Sequence, residues 1–180
     1  MKHALLLAGT GICFVLGSAV FAQSPSGQPD KPTAQSQGAP STADFVKTAA
    51  ISDMFEIQSS KLALEKKARD ERHFAERMIH DHTETTDQLQ HLVNSGQVKV
   101  PLPAALDTQH EQMLDKLRGE NGANFDKDYD QAQLAGHKEA VALFESYAAN
   151  GDNAALKRWA AATLPHLRDH LAMAEKLSQR

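Results

Sequence analysis

An unbroken heptad pattern runs through residues 153–178, NAALKRWAAATLPHLRDHLAMAEKLS. Side chains seven residues apart lie on the same face of an α-helix, and steps of three and four keep a row on that face. The row consists of Leu156, Ala160, Thr163, Leu167, His170, Ala174 and Leu177. The pattern predicts an amphipathic helix over 153–178, capped by Asp152, that buries this row against other helices.

Three stretches upstream show the same rhythm. They predict helices over 43–68, 71–95 and 125–149, and a short helical stretch near 105–118. Asp70 is the expected cap of the second helix, and Gly96 is its expected C-terminal stop. No segment keeps the alternation of a strand, so the predicted class is all-α.

The lengths of the connections predict how these helices are arranged. The first and second helices are joined tightly, as are the last two, whereas about thirty residues that include the short helix separate the two pairs. An antiparallel four-helix bundle with a single long crossover, the ferritin-like kind, fits this spacing.

The first 42 of the 180 residues have a different character. A basic start, an apolar run over 4–21 and a small-residue end at Ala22 are typical of a secretory signal peptide over 1–22. Residues 23–42 are rich in Ser, Pro, Gln and Gly and predict a disordered linker. The folded domain is therefore expected over 43–178, in the periplasm or cell envelope.

Composition excludes several classes of function. The single cysteine, Cys13, lies in the predicted signal peptide, so a mature chain has neither disulfides nor thiolate metal ligands. The formal net charge is −4 and no basic run occurs, which argues against nucleic acid as a partner. We expect no transmembrane span in the mature chain.

Four polar residues lie on the inward rows of four different predicted helices: Glu56, His82, His137 and His170. Buried polar groups are costly unless they find hydrogen-bond partners, a charge partner or a metal. Near helix midpoints they would meet at one height of an antiparallel bundle. Three imidazoles and a carboxylate suit one ion of zinc, copper, iron or manganese, although a lone inward histidine is more often a satisfied core residue.

Neighbouring residues suggest support for this centre. Asp81 and Asp169 precede two of the histidines and are expected to accept hydrogen bonds from ligands on a neighbouring helix. Tyr129 could add a hydroxyl to the same network. Pro165 predicts either a kink in the last helix or a fresh start there. The remaining histidines are expected to face solvent: His73, His80, His91, His110 and His166.

Several of these motifs together resemble a known bacterial family. They are Met78-Ile79-His80-Asp81-His82, Phe125-Asp126 with Tyr129, Gln133 and His137, and Leu164-Pro165 with His170. This set is similar to the family called domain of unknown function 4142, whose members are often labelled outer membrane proteins. The resemblance implies a ferritin-like bundle in the periplasm or envelope and supplies no known reaction.

The wider ferritin-like superfamily offers a contrast. Its di-iron members carry Glu on two helices and Glu-x-x-His on the other two. Here Ile79 and Leu167 stand where that motif has Glu, and His137 replaces a third carboxylate. This departure argues against a classical di-iron site. Three functions stay open: a protein that binds one metal ion for metal handling or envelope stress, a metal-free structural or interaction bundle with a possible envelope partner, and a metal-dependent redox enzyme.

Overall fold

Five helices make up the described part of the chain, which in this computed structural model is residue 38 with residues 40–68 and 71–180. They are α1 (Thr42–Glu65), α2 (Arg72–Asn94), α3 (Thr108–Gly119), α4 (Ala123–Asn150) and α5 (Ala154–Leu177). No strand occurs in these ranges, which confirms the all-α class. The predicted signal peptide, most of the predicted linker and the proposed Asp70 cap lie outside the described residues.

The four long helices form an antiparallel bundle. α1 packs along α2 and α4 along α5, and the two hairpins meet through α1 against α4 and α2 against α5. At one end the Thr42 hydroxyl lies 2.6 Å from the Tyr147 hydroxyl, and at the other Lys66 donates to the carbonyl of Arg118 at 3.1 Å. The connection that contains α3 therefore spans the length of the bundle, and the expected single long crossover is confirmed.

Two helix ends show how the chain turns. The amides of Lys67 and Ala68 donate to the carbonyls of Leu64 and Ala63, both at 3.1 Å, which is the hydrogen-bond pattern of a Schellman motif. Lys67 adopts a left-handed φ of 57° there without being glycine. Gly96 takes φ of 74° after α2, so the predicted stop is correct.

The predicted cap of α5 and the predicted fresh start at Pro165 are wrong. Its cap is Asn153, whose side chain accepts from the amides of Ala155 and Leu156. Asp152 instead accepts a hydrogen bond from Tyr147 at 3.0 Å. α5 continues through Pro165 and does not restart there, and a kink at Pro165 stays a prediction.

The bundle interior contains two apolar clusters. The first holds the packed rings of Phe45, Phe144, Tyr147 and Trp159, which we call the aromatic cluster. The second, towards the other end, includes Phe74, Met78, Leu114, Phe125 and Leu177. Buried polar side chains on α1, α2, α4 and α5 lie at or near the boundary between the two clusters along each helix: Asp53, Glu56, His82, Gln133, His137 and His170.

Candidate metal centre

Three histidines from three helices meet in the interior of the bundle. His82 of α2, His137 of α4 and His170 of α5 are each at most 3 % exposed. Their ring centroids are 5.7 Å apart for His82 and His137, and 5.4 Å apart for each of the two pairs with His170. One nitrogen of each ring lies within 4.8 Å of the others. We call this group the histidine centre.

Each histidine of the centre has a hydrogen-bond acceptor next to one of its ring nitrogens. His82 Nδ1 lies 2.8 Å from Asp53 Oδ1, His137 Nδ1 lies 2.8 Å from the Gln133 carbonyl oxygen, and His170 Nε2 lies 2.8 Å from Asp81 Oδ2. A carbonyl or an ionised carboxylate can only accept, so in each pair the ring nitrogen donates. In a neutral imidazole the opposite nitrogen then carries a lone pair.

Those opposite nitrogens have no hydrogen-bond partner. They are His82 Nε2, His137 Nε2 and His170 Nδ1, and all three are inaccessible to solvent. An ion about 2.0–2.1 Å from each would need the nitrogens about 3.5 Å apart. Rings whose closest nitrogens lie within 4.8 Å of one another would each have to move inward by less than about 1 Å to bind such an ion. The rings are therefore close to a geometry that binds one ion.

The electrostatic surroundings keep two of the rings neutral. Burial lowers the pKa of His137 to about 3 and that of His170 to about 4. Burial also acts to lower the pKa of His82, but the hydrogen bond and charge of Asp53 and the charge of Glu56 outweigh it, and the pKa is raised. His137 and His170 are thus available as neutral ligands far below the usual histidine range.

Glu56, the fourth predicted ligand, is buried beside the three histidines. Its carboxylate does not belong to the group whose ligand atoms lie within 4.8 Å of one another. Burial raises the pKa of Glu56 to about 7, although the charge of His82 and a hydrogen bond from Gln133 act to lower it. Its Oε2 has no hydrogen-bond partner. A direct bond from Glu56 to a metal stays a prediction.

The three predicted supporting residues lie in different places. Asp81 accepts from His170 on the neighbouring helix and is itself held by Arg77, whose Nε lies 2.7 Å from Asp81 Oδ2. Tyr129 is fully buried, but its hydroxyl pairs with that of Ser60 at 2.9 Å rather than with a histidine. Asp169 lies on the exposed face of α5, where it acts electrostatically on Arg77. Among these three residues, Asp81 alone has a hydrogen bond to a histidine of the centre.

Sequence reasoning missed Asp53, the residue that orients His82. Asp53 is 6 % exposed, and its Oδ2 accepts from Thr85 at 3.0 Å. A signal was present, since Val46, Asp53 and Ser60 form a second heptad row on α1, next to the row that contains Glu56. All three residues of that row are buried.

The other histidines mostly lie where the pattern predicts. His73, His80, His91 and His166 are exposed. His110 is half-buried, because α3 lies against α1 and its ring meets the ring of Phe55 edge-on at 5.5 Å. The expectation of exposure is wrong for His110 alone among these five.

The fold and the centre define the class: an all-α bundle with a buried cluster of three histidines. Residues 27–177 match the model of the family described as Domain of unknown function (DUF4142), and the chain belongs to that family. Comparison with curated proteins gave no match. A solved structure described as "CopM in the Cu(II)-bound form" is similar in fold, with a TM-score of 0.64 and 17% sequence identity over 78% of this chain and 97% of that one. No described helix has the length and apolar character needed to cross a membrane.

Proposed function

We propose that this protein binds one transition-metal ion through His82, His137 and His170, and that its function is metal handling. The observation that carries the proposal is a group of three buried histidine rings that lie close together, each with one unpaired ring nitrogen. Their outer nitrogens are fixed by Asp53, the Gln133 carbonyl and Asp81, an arrangement that is typical of metal-bound histidine.

A metal-free polar network explains the same residues less well. A buried polar atom without a partner costs about 1–3 kcal/mol. Three such nitrogens amount to a large share of a typical folding stability of about 5–15 kcal/mol. A network that served only to fix helix register would be expected to pair these atoms with one another or with neighbouring side chains. An ion pairs all three at once.

The donor set favours copper or zinc. Imidazole nitrogen suits zinc, copper, iron and nickel, and at a given nitrogen site divalent copper binds most tightly of these. The centre offers neither thiolate nor a group of carboxylates, which counts against manganese. The structurally similar CopM was solved with Cu(II), which adds support for copper. We therefore expect Cu(II) to bind more tightly than Zn(II).

The proposed setting is the periplasm or cell envelope. The support is the sequence of residues 1–22, which has the basic start, apolar run and small-residue end of a cleavable signal peptide. In that setting a soluble domain with one histidine centre suits the capture or transfer of a metal ion. The proposal assigns no reaction to the centre.

The test is a metal titration of the purified mature chain and of the double variant His82→Ala, His170→Ala. The wild type should bind one equivalent of Cu(II) and show a rise in melting temperature, since a ligand that binds only the folded state stabilises it. The double variant should show neither. Equal, near-zero binding of Cu(II), Zn(II), Fe(II) and Mn(II) by both proteins would reject the proposal.

A further inference from the structure

Two cavities approach the polar interior from opposite sides of the bundle. One, of about 230 Å³, lies between α2 and α5 and reaches His82 and His170. The other, of about 210 Å³, lies between α1 and α4 beneath α3 and reaches Glu56. We call them the α2–α5 cleft and the α1–α4 cleft. Their linings differ in chemistry.

The α2–α5 cleft leads from exposed polar side chains to the centre. Glu84, Gln88 and His166 are exposed at its rim, whereas His82 and His170 are buried at its floor. Each of these two rings carries a nitrogen that has no hydrogen-bond partner and is closed to solvent. A cation that enters here therefore passes polar side chains at the rim and reaches the two histidine rings at the floor.

His166 lies in the right place to be the first of those ligands. It precedes His170 by four residues on α5, a spacing that puts both side chains on one face of the helix. Both line the α2–α5 cleft. The carboxylate of Glu84 also lines it and can attract a cation, whereas the carboxylate of Asp81 is paired with Arg77 at 2.7 Å.

The α1–α4 cleft is lined differently. Much of its wall is apolar, with Phe55, Met113 and Phe144 among its lining residues. His110 also lines it, but its Nδ1 is engaged 2.7 Å from Asp107. The buried carboxylate that lines it is that of Glu56, and none of the three histidines of the centre lines it.

We propose that metal ions reach the histidine centre through the α2–α5 cleft, with His166 as the first ligand that an incoming ion meets. This inference rests on the proposed function. A path determines how fast an ion enters and leaves and does not change the stability of the bound state. Obstructing it should therefore slow association and release by the same factor.

The test is stopped-flow mixing of the mature chain with Cu(II), followed by release into excess chelator. Trp159 is the chain's single tryptophan and donates to Gln88 at the rim of the α2–α5 cleft, so quenching of its fluorescence can report arrival of Cu(II). Ala162→Phe puts a ring into the α2–α5 cleft, and His166→Ala removes the first ligand. Ala135→Phe is the matched control, because Ala135 is also an exposed alanine but lines the α1–α4 cleft.

Ala162→Phe and His166→Ala should each lower both rates by about tenfold and leave the dissociation constant within about twofold of the wild type. Ala135→Phe should behave as the wild type. Unchanged rates in both α2–α5 variants, or slow binding in Ala135→Phe alone, would overturn the inference while the proposed function stands. A wild type that binds no metal would overturn both. If Ala162→Phe does not fold, as judged by circular dichroism, the exposed His166→Ala variant decides the matter.

Discussion

The aromatic cluster and the histidine centre share helices α4 and α5 but differ in how their buried polar atoms are paired. In the aromatic cluster, Trp159 Nε1 donates to Gln88 at 3.0 Å, and the Tyr147 hydroxyl pairs with Thr42 and Asp152. In the histidine centre three ring nitrogens stay unpaired. The bundle thus satisfies polar atoms where its own side chains suffice. Unpaired nitrogens on three neighbouring rings are therefore the feature that supports the proposed metal site.

The largest expected effect is on metal affinity when a histidine of the centre is removed. His137→Ala should weaken Cu(II) binding at least about 100-fold, because one of three nitrogen ligands is lost. Isothermal titration calorimetry measures this change. His73→Ala is the matched control, since His73 is an exposed histidine on α2, and its affinity should equal that of the wild type. An unchanged affinity in His137→Ala would show that the histidine centre, like the aromatic cluster, does not bind the metal.

A smaller loss is expected when the acceptor behind a ligand is changed. Asp53→Asn should weaken binding about 10- to 100-fold, because the amide no longer forces His82 to present its Nε2 lone pair to the centre. Asp87→Asn makes the same chemical change on the exposed face of α2 and should have no effect. Equal affinities for these two variants would show that the orientation of His82 does not matter.

Metal affinity should fall only gently with acid. A proton competes with a metal for a nitrogen below the pKa of that nitrogen, so affinity decreases as the pH falls. The pKa values of His137 and His170 are lowered to about 3 and about 4, so between pH 4.5 and 5.5 neither ring competes for a proton. His82, whose pKa is raised, does compete.

The slope of log affinity against pH in that interval should be about one, or about two if Glu56 also ionises to bind the metal. Three histidines with ordinary pKa values would give about three. Titrations in non-coordinating buffers measure the slope, and circular dichroism at each pH checks that the bundle stays folded. A slope near three would contradict the buried, neutral state of His137 and His170.

The smallest effect concerns the aromatic cluster. Trp159→Phe removes the hydrogen bond to Gln88 and should lower the free energy of unfolding by about 1 kcal/mol. Cu(II) affinity should not change, because Trp159 belongs to the apolar cluster and does not touch the centre. Chemical denaturation and calorimetry give the two quantities. If the Trp159→Phe variant lost metal affinity as well as stability, the aromatic cluster and the histidine centre would not be independent.

Much of the fold follows from local pattern. Heptad rows locate the helices within a few residues, because one face of each helix must be apolar to be buried. The long crossover follows from the length of the connections. Errors occur where the outcome depends on distant contacts. The cap of α5 is Asn153 rather than Asp152, since Asp152 is engaged by Tyr147 and by Thr42 of α1.

Pro165 shows a second limit of local reasoning. A proline inside a helix removes one backbone hydrogen bond, and its ring crowds the carbonyl four residues earlier. The carbonyl of Ala161 loses its helical hydrogen bond because Pro165 has no N–H. Both residues are exposed, so water can donate a hydrogen bond to that carbonyl instead. The buried face of α5 stays continuous on either side, with Leu164 and Leu167 both in the core.

The candidate centre is also only partly predictable from the sequence. Three histidines near the midpoints of different helices are visible in the sequence, and the bundle brings them together. Their outer partners are not visible, because Asp53 lies on a second row of α1 and the Gln133 carbonyl belongs to the backbone. The direction in which each ring nitrogen points is a property of the packed structure.

The most direct measurement is anomalous X-ray diffraction from crystals of the copper-loaded protein. We expect one anomalous peak inside the bundle, about 2.0–2.1 Å from His82 Nε2, His137 Nε2 and His170 Nδ1. The outer hydrogen bonds to Asp53, the Gln133 carbonyl and Asp81 should be retained. A peak bound only by exposed histidines, or an empty histidine centre at saturating copper, would contradict the account.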